Sequence, residues 1–377
     1  MDIMLYYLND APITGARLFL VYRLNTRSDR STSCPSRMLV NKSEDDMATV
    51  ARNWKTSISC GAVFAAMTFG WQSAALAQTM LQLPTGGVTG SYYMIGAPMA
   101  KYINEHSKLI RVTPNTSGGS VENQRRVESG AAQLGMTSQD LMYAGWRGEK
   151  PFDKPMRNFR VIGIVTPILA NHVITLASHN IKTAADLKGK IFAIGAPGSM
   201  AADQMNLFLE HVGLKGALEA RMLPHQDYPS MLLDGKVQVI NRAGSVPAAV
   251  VEEIAVQKPI SLVDLGPELE KSGFLKKYTF YQKIVVKGGT YKGENRDITL
   301  FGTAGYLIAH KDVPDAVVYE FTRLAYSEDN IKLVNMAFAG ANLNRADPLT
   351  GNIAPVHPGA AKFWKEIGAA IPEPVLK

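Results

Sequence analysis

The sequence predicts an α/β fold with two lobes, because one supersecondary pattern occurs twice along the chain. Residues 80–140 follow the order strand, loop, helix, strand, loop, helix, strand, and residues 190–245 repeat it. This order is typical of a parallel sheet with helical crossovers. In both copies a glycine-rich loop follows the first strand, TGGVTG at 85–90 and GAPGS at 195–199. Two such units predict two lobes, and the cleft between lobes commonly holds a small ligand.

The composition is typical of a globular protein, since 46% of the 377 residues are hydrophobic and 19% are charged. The net charge of +7 comes without a clustered stripe of Lys and Arg. We therefore expect no nucleic-acid partner. After residue 77 no apolar run approaches the roughly 20 residues of a membrane-spanning helix. We therefore expect no stable membrane insertion of the mature chain.

The N-terminal part of the chain is predicted to lie outside the fold. Residues 47–77 have the features of a secretory signal peptide: basic residues, an uncharged apolar stretch at 58–69, and small residues before the cleavage site. We expect cleavage after Ala77 and export. Residues 1–46 are interpreted as a mis-assigned, disordered upstream extension, because they would bury the signal inside the chain. Both cysteines precede the cleavage site, so the mature chain is expected to use no disulfide and no thiol.

The loop at 85–90 is the first candidate binding element. Its glycines allow the backbone to approach a ligand closely. The following helix directs its N-terminal N–H groups at that loop, where an anion is favoured. The loop has neither the Walker A pattern nor the GxGxxG pattern. A tight turn without a ligand is the alternative interpretation. The candidate ligand-binding residues here are Thr85, Gly86, Gly87, Thr89 and Tyr92.

The loop at 116–120 repeats this chemistry, with Ser120 as the expected N-cap of the next helix. Glu122 either complements the helix dipole or binds a ligand ammonium or hydroxyl group. Residues 138–140 end the third strand, and ligands often bind at the carboxyl ends of strands in α/β sheets. Ordinary turn residues also occur there. The candidates are Ser117, Gly118, Gly119, Ser120, Glu122, Asn123, Ser138, Gln139 and Asp140.

The second copy supplies another helix N-terminus, for which Ser199 is the expected N-cap. Arg242 provides the one fixed positive charge in these loops, suited to a bidentate contact with a carboxylate. A surface arginine, or one paired across the lobes, is the alternative. The candidates are Pro197, Gly198, Ser199, Met200, Asn241 and Arg242. Up to five helix N-termini directed at one cleft predict a small anionic ligand.

Known catalytic and metal-binding patterns are missing from the sequence. We find no HExxH motif, no paired histidine spacing, no GxSxG motif and no pair of carboxylates suited to acid–base catalysis. His225 is the only histidine in a candidate cleft loop. We therefore expect a protein that is not an enzyme, with no catalytic residue, no metal and no cofactor.

At these residues the chain resembles the TAXI family, the solute-binding subunits of one class of TRAP (tripartite ATP-independent periplasmic) transporters. The resemblance rests on several segments, which are TGGVTGSYY (85–93), NTSGGSVENQRRVESGAAQLG (115–135), TSQDLMYAGWRG (137–148), GAPGS (195–199), GGTYKG (288–293) and PVHPGAAKFWKEIG (355–368). The chain departs from the family pattern at Met200, where Thr is usual, and at Gln238-Val239, where Asp-Ala is usual.

The resemblance implies a type II periplasmic-binding-protein fold with the ligand cleft between its lobes. Residues 78–167 and 278–377 would form the first lobe, and residues 168–277 the second. Hinge strands are expected near 160–166 and 278–286, with closure around the ligand by a hinge motion. The resemblance also implies a periplasmic location and delivery of a small anionic solute, a carboxylate or an amino acid, to a TRAP membrane subunit driven by an ion gradient.

Two other functions remain open from the sequence. An ABC-type binding protein for an aromatic sulfonate or a thiamine-precursor pyrimidine has the same fold, and an adjacent permease without an ATPase would favour the TRAP assignment instead. An exported α/β enzyme is the third possibility. It would need a catalytic constellation in the cleft.

Overall fold

A computed structural model describes residues 78–338 and 340–375. The predictions for residues 1–46 and 47–77 lie outside the described residues. The strands are β1 (Thr79–Pro84), β2 (Ile110–Asn115), β3 (Leu134–Ser138), β4 (Phe159–Leu176), β5 (Ile191–Gly195), β6 (Glu219–Met222), β7 (Val239–Gly244), β8 (Ile260–Leu262), β9 (Gln282–Val286) and β10 (Ile298–His310).

The helices of the described residues alternate with these strands over most of the chain. They are α1 (Ser91–His106), α2 (Ser120–Glu128), α3 (Gln139–Arg147), α4 (Met200–His211), α5 (Tyr228–Leu233), α6 (Ala249–Gln257), α7 (Gly266–Ser272), α8 (Phe274–Lys277), α9 (Asp315–Ala325), α10 (Glu328–Ala337) and α11 (Pro358–Glu366). None of these helices combines the length and the apolar character that crossing a membrane requires.

The repeated order of strands and helices is confirmed, and the fold is α/β. The first copy consists of β1, α1, β2, α2 and β3, and the second of β5, α4, β6, α5 and β7. The pairs β1–β2, β5–β6 and β5–β7 are parallel, as a helical crossover requires. The strand β3 differs from this pattern, because it pairs antiparallel with β10 from the far end of the chain.

The main sheet runs in the order β3-β10-β4-β7-β5-β6, with β8 beside β4 and β9 beside β10. Two separate hydrophobic cores pack against it, so the described chain has two lobes. The long strands β4 and β10 pass from one core to the other. In β4 the change falls between Leu169 and Ala170, and in β10 between Phe301 and Ala304.

The position of the second crossing differs from the boundary expected near residue 278. Residues 281–301 contribute side chains to the second core, including Tyr281, Tyr291 and Phe301. The chain therefore returns to the first lobe within β10 rather than within β9. The physical reason is that β10 is buried almost throughout its length on both sides of the crossing, so its hydrophobicity does not mark where the core changes.

Candidate functional site

The glycine-rich loops of the two lobes face each other across a cavity of about 270 Å³, which we call the cleft cavity. The first lobe contributes residues from 85–92, after β1, and from 117–120, after β2. The second lobe contributes residues from 196–200, 224–226 and 242–243. Most of the wall therefore comes from the carboxyl ends of strands and the N-termini of the helices that follow, where α/β sheets commonly bind ligands.

Asn123 holds the two first-lobe loops in place. Its Nδ2 donates to the carbonyl oxygens of Thr85 and Met136, each at 2.8 Å, and its Oδ1 accepts a hydrogen bond from Ser117 Oγ at 2.6 Å. The side chain is fully buried. Three hydrogen bonds from one buried amide fix the loops before any ligand arrives, which lowers the entropic cost of binding.

The helix N-termini leave backbone donors at the cavity. Among the hydrogen bonds of the described residues, none uses the N–H groups of Ser91 and Tyr92 in α1, Ser120 in α2 or Met200 in α4. All four residues line the cleft cavity. The first N–H groups of a helix have no partner within the helix, and they carry partial positive charge. Three helices therefore present free donors to one space.

Close contact between the second-lobe and first-lobe loops depends on glycine. The N–H of Val121 donates across the cleft to the carbonyl oxygen of Gly198 at 3.2 Å. Gly119 has a φ of 117°, and a Cβ at this position would lie 3.1 Å from Ser199 Cα. A side chain at Gly119 would both strain the backbone and push the lobes apart. The N-cap of α2 is Gly119 rather than the expected Ser120, which is the first residue of the helix.

Two side chains fix the second-lobe wall. Ser199 is the N-cap of α4, as expected, and its Oγ accepts a hydrogen bond from the N–H of Ala202 at 3.3 Å. His225 Nε2 accepts from the N–H of Ala196 at 3.2 Å. Burial, together with the nearby Arg242, lowers the pKa of His225 to about 3. The imidazole is therefore neutral at physiological pH and acts as an acceptor for the loop backbone.

Arg242 supplies the charge of the cleft cavity. It lies on β7, opposite His172 of β4, and its Nη2 donates to the carbonyl oxygen of Thr89 in the other lobe at 3.0 Å. No ion pair of the described residues includes Arg242, and no Asp or Glu is among the residues that line the cleft cavity. Burial lowers the pKa of Arg242. A partly buried guanidinium without a counterion favours binding of an anion.

The structure brings thirteen of the twenty candidate residues to the wall of the cleft cavity. They are Thr85, Gly86, Gly87, Thr89, Tyr92, Ser117, Gly118, Gly119, Ser120, Pro197, Ser199, Met200 and Arg242. Ligand contact by these residues stays a prediction. The other seven, which do not line it, are Glu122, Asn123, Ser138, Gln139, Asp140, Gly198 and Asn241.

Polar groups among those seven bind other parts of the protein instead. Glu122 Oε2 accepts a hydrogen bond from the N–H of Gly118 at 2.7 Å, so this carboxylate stabilises the loop that precedes its own helix. Gln139 Nε2 donates to the carbonyl oxygen of Gly351 at 2.8 Å. Asn241 is fully buried, and its Nδ2 donates to Asn171 Oδ1 at 3.1 Å and to two backbone carbonyl oxygens. We therefore no longer propose these residues as ligand contacts.

Asp140 belongs to a different site between the lobes, which we call the acidic cluster (Asp140, Asp203, Gln204 and Tyr281). Asp140 accepts hydrogen bonds from Gln204 Nε2 and from the Tyr281 hydroxyl, each at 3.1 Å. Burial raises the pKa of Asp140. Burial, and then the charge of Asp140, raise the pKa of Asp203 to about 7. The cluster links α3 of the first lobe to α4 of the second.

Sequence reasoning missed several lining residues. They are Gly90, Ser91, Leu169, Ala196, Pro224, His225, Gln226 and Ala243. Gly90 and Ala196 lie within the predicted loops at 85–90 and 195–199, and Ser91 directly follows the first loop, so the loop positions were a usable signal for these three residues. Leu169 lies where β4 changes from one core to the other. No sequence motif marks that point, since the apolar run continues through it.

No set of three or more His, Cys, Asp or Glu side chains in the described chain is arranged to hold a metal ion. The donors at the cleft cavity are instead backbone N–H groups, hydroxyl groups, the side-chain amide of Gln226 and one guanidinium. Such groups bind anions and polar organic molecules.

Two α/β lobes with a cavity between them are typical of a solute-binding protein of the periplasmic type. The chain belongs to the NMT1-like family, whose family model matches residues 83–368. This is a family of substrate-binding proteins of transport systems. The resemblance to the TAXI family is a finer assignment and stays a prediction.

Two of the solved structures that are similar to this chain are described as binding proteins. The periplasmic aliphatic sulphonate binding protein SsuA from Escherichia coli is 17% identical, with a TM-score of 0.41, over 70% of this chain and 80% of that chain. A binding protein component of an ABC phosphonate transporter from Pseudomonas aeruginosa is 10% identical, with a TM-score of 0.47, over 70% and 80%. At these values the likenesses assign no ligand to this chain.

Proposed function

We propose that the protein binds a small organic anion in the cleft cavity and delivers it to a membrane transporter. The observation that carries this proposal is the position of Arg242. Its guanidinium is partly buried, has no carboxylate partner among the described residues, and lines the same cavity as three helix N-termini. Each helix contributes partial positive charge, and the guanidinium contributes a full one. Carboxylates and sulfonates both satisfy this arrangement.

The apolar part of the wall supports an organic anion rather than an inorganic one. Leu169 and Met200 are buried hydrophobic side chains at the cavity, and Pro197 and Pro224 also line it. A phosphate or sulfate ion leaves such a surface without a partner, whereas an organic acid covers it. Apolar area removed from water contributes roughly 25 cal/mol per Å² to affinity, so this surface favours a ligand with a carbon body.

Membership of the NMT1-like family favours delivery to an ABC-type transporter. Within that alternative the guanidinium of Arg242 favours a sulfonate over a pyrimidine, because a pyrimidine lacks the negative charge that the cleft cavity attracts. Delivery to a TRAP membrane subunit is the second candidate, favoured by the segments TGGVTGSYY (85–93) and GAPGS (195–199). An ATPase gene beside the gene for this protein would support the first, and a large permease gene without an ATPase the second.

The experiment is a thermal-shift panel of matched pairs, in which each acid is compared with a neutral analogue of the same skeleton. Suitable pairs are propionate with propionamide, succinate with succinamide, glutamate with glutamine, and benzenesulfonate with benzenesulfonamide. We expect stabilisation by at least one acid and none by its neutral analogue. A ligand at a hundredfold above its Kd adds about 2.7 kcal/mol to the free energy of unfolding.

Stabilisation by the neutral members or by a sugar, with no response to any acid, would contradict the anion proposal. A bound acid that the protein chemically converts would instead support the exported enzyme. Incubation of each stabilising acid with the protein, followed by mass spectrometry, separates a binding protein from an enzyme.

A further inference from the structure

A second cavity of about 250 Å³ adjoins the cleft cavity. The two cavities have six lining residues in common, which are Thr89, Ser91, His225, Gln226, Arg242 and Ala243. The two spaces are therefore neighbours, with Arg242 and the loop at Thr89 between them.

The second cavity has a different chemistry from the first. Met94 and Phe338 of the first lobe line it, and so do Ala248 and Val250 of the second lobe. The hydroxyl of Ser245 already donates to the carbonyl oxygen of Pro247 at 3.0 Å, and the N–H of Ala248 donates to the Tyr291 hydroxyl at 2.8 Å. Glu253, an exposed carboxylate, lines it too. This carboxylate repels an acid head group, so the second cavity suits the hydrocarbon part of an acid rather than its charged end.

The boundary between the cavities includes one cross-lobe hydrogen bond, from Arg242 Nη2 to the carbonyl oxygen of Thr89. A guanidinium has five N–H donors in a planar fork, so Arg242 retains donors for a ligand acid while it is near Thr89. An acid held by Arg242 from the side of the cleft cavity has its carbon chain free to extend past this contact. The arginine then lies beside the junction of head group and chain.

We propose that the ligand is an acid with a long, slim apolar chain, whose head group lies in the cleft cavity and whose chain occupies the second cavity. This inference rests on the proposed function, since it needs an acid in the cleft cavity. The two cavities then form one elongated site with a polar end and an apolar end.

The test is a calorimetric titration with two homologous series, the unbranched carboxylates from propionate to octanoate and the alkanesulfonates from ethane- to octanesulfonate. Burial of each further methylene in an apolar cavity corresponds to about a fourfold gain in affinity. We expect affinity to rise by roughly this factor per methylene in at least one series, until the second cavity is full. Equal affinity for short and long acids would overturn the inference and leave the proposed function intact. No binding of any acid would defeat both.

A substitution in the second cavity tests whether the carbon chain of the ligand lies there. Ala249 is exposed and lines the second cavity but not the cleft cavity, so Ala249→Trp should fill the second cavity. We expect this variant to keep the affinity for the shortest acid and to lose the gain with chain length. Val256→Trp is the matched control, because Val256 lies two turns further along α6, is 76% exposed and lines neither cavity. A chain-length gain that survives Ala249→Trp in a folded variant would overturn the inference.

Discussion

The cleft cavity and the acidic cluster both lie between the two lobes, but their electrostatics are opposite. In the cleft cavity, free N–H groups and Arg242 have no acidic partner among the lining residues. In the acidic cluster, the carboxyl group of Asp140 accepts hydrogen bonds from Gln204 and Tyr281 within the protein. The comparison indicates that the cleft cavity keeps free backbone donors and a guanidinium with no carboxylate among the lining residues, whereas the Asp140 carboxyl group is already hydrogen-bonded within the protein.

The acidic cluster continues into the second lobe through hydrogen bonds between buried side chains. Gln204 Oε1 accepts a hydrogen bond from Asn171 Nδ2 at 2.7 Å, and Asn171 Oδ1 accepts one from Asn241 at 3.1 Å. Buried polar groups that satisfy one another in this way rigidify a structure. The cleft cavity lacks such closure, so a ligand has donors to bind there.

The largest expected effect comes from the acidic cluster, through the dependence of the free energy of unfolding on pH. Asp203 has a pKa of about 7 in the folded protein, against 3.8 ordinarily. Between these pH values the folded state holds a proton that the unfolded state has lost, so the free energy of unfolding falls as the pH rises from about 4 to about 7. Asp203→Asn removes this titration. We expect the variant to gain on the order of 2 kcal/mol relative to the parent over this range, measured by urea unfolding.

The control for this prediction is Asp153→Asn, since Asp153 is exposed and lies outside the acidic cluster. We expect the free energy of unfolding of this variant to differ little from that of the parent. Both variants should bind a small acid as the parent does at a fixed pH. A loss of acid affinity in Asp203→Asn would show that the two regions are coupled and break the comparison.

A smaller effect is expected for Ser199, which belongs to the cleft cavity and also caps α4. Ser199→Ala should lower the free energy of unfolding by about 1 kcal/mol through loss of the cap, and it should weaken acid binding by less than Arg242→Ala does. Ser327→Ala is the matched control, because Ser327 caps α10 through the N–H of Asn330 at 3.3 Å and does not line the cleft cavity. For Ser327→Ala, urea unfolding should give a loss of stability similar to that of Ser199→Ala, and calorimetric titration should show no change in acid affinity. Equal affinity losses in both variants would indicate an indirect effect on folding.

The order of the elements was predictable from sequence, because glycine-rich loops and apolar runs are local features. The cap at Ser199 was predictable for the same reason. The directions of the Glu122 and Asp140 side chains were not predictable. Glu122 follows a predicted binding loop and Asp140 follows the end of a strand, and both positions favoured ligand contact. Glu122 turns back to the N–H of Gly118, and Asp140 turns to partners more than 60 residues away in sequence. Contacts of that separation depend on how the lobes pack.

The point at which the chain returns from the second lobe to the first also could not be predicted from the sequence. The strand β10 pairs with β3, β4 and β9, and its apolar residues serve both cores. A lobe boundary within a continuously buried strand produces no change in amino-acid composition at that point of the sequence. The second cavity was missed for a related reason, since Met94, Val250 and Phe338 come from distant parts of the chain.

The most direct test of the account is the affinity of Arg242→Ala for an acid that stabilises the parent protein. Loss of a charged hydrogen-bond partner costs about 1.5–3 kcal/mol, so calorimetric titration should give a Kd at least tenfold weaker, while the free energy of unfolding without ligand changes little. Arg221→Ala is the control, since Arg221 pairs with Glu219 at 2.6 Å and lies off the cleft cavity. It should bind the acid as the parent does. If Arg242→Ala binds the acid as tightly as the parent, the cleft cavity does not recognise the anion through this guanidinium, and the central claim is wrong.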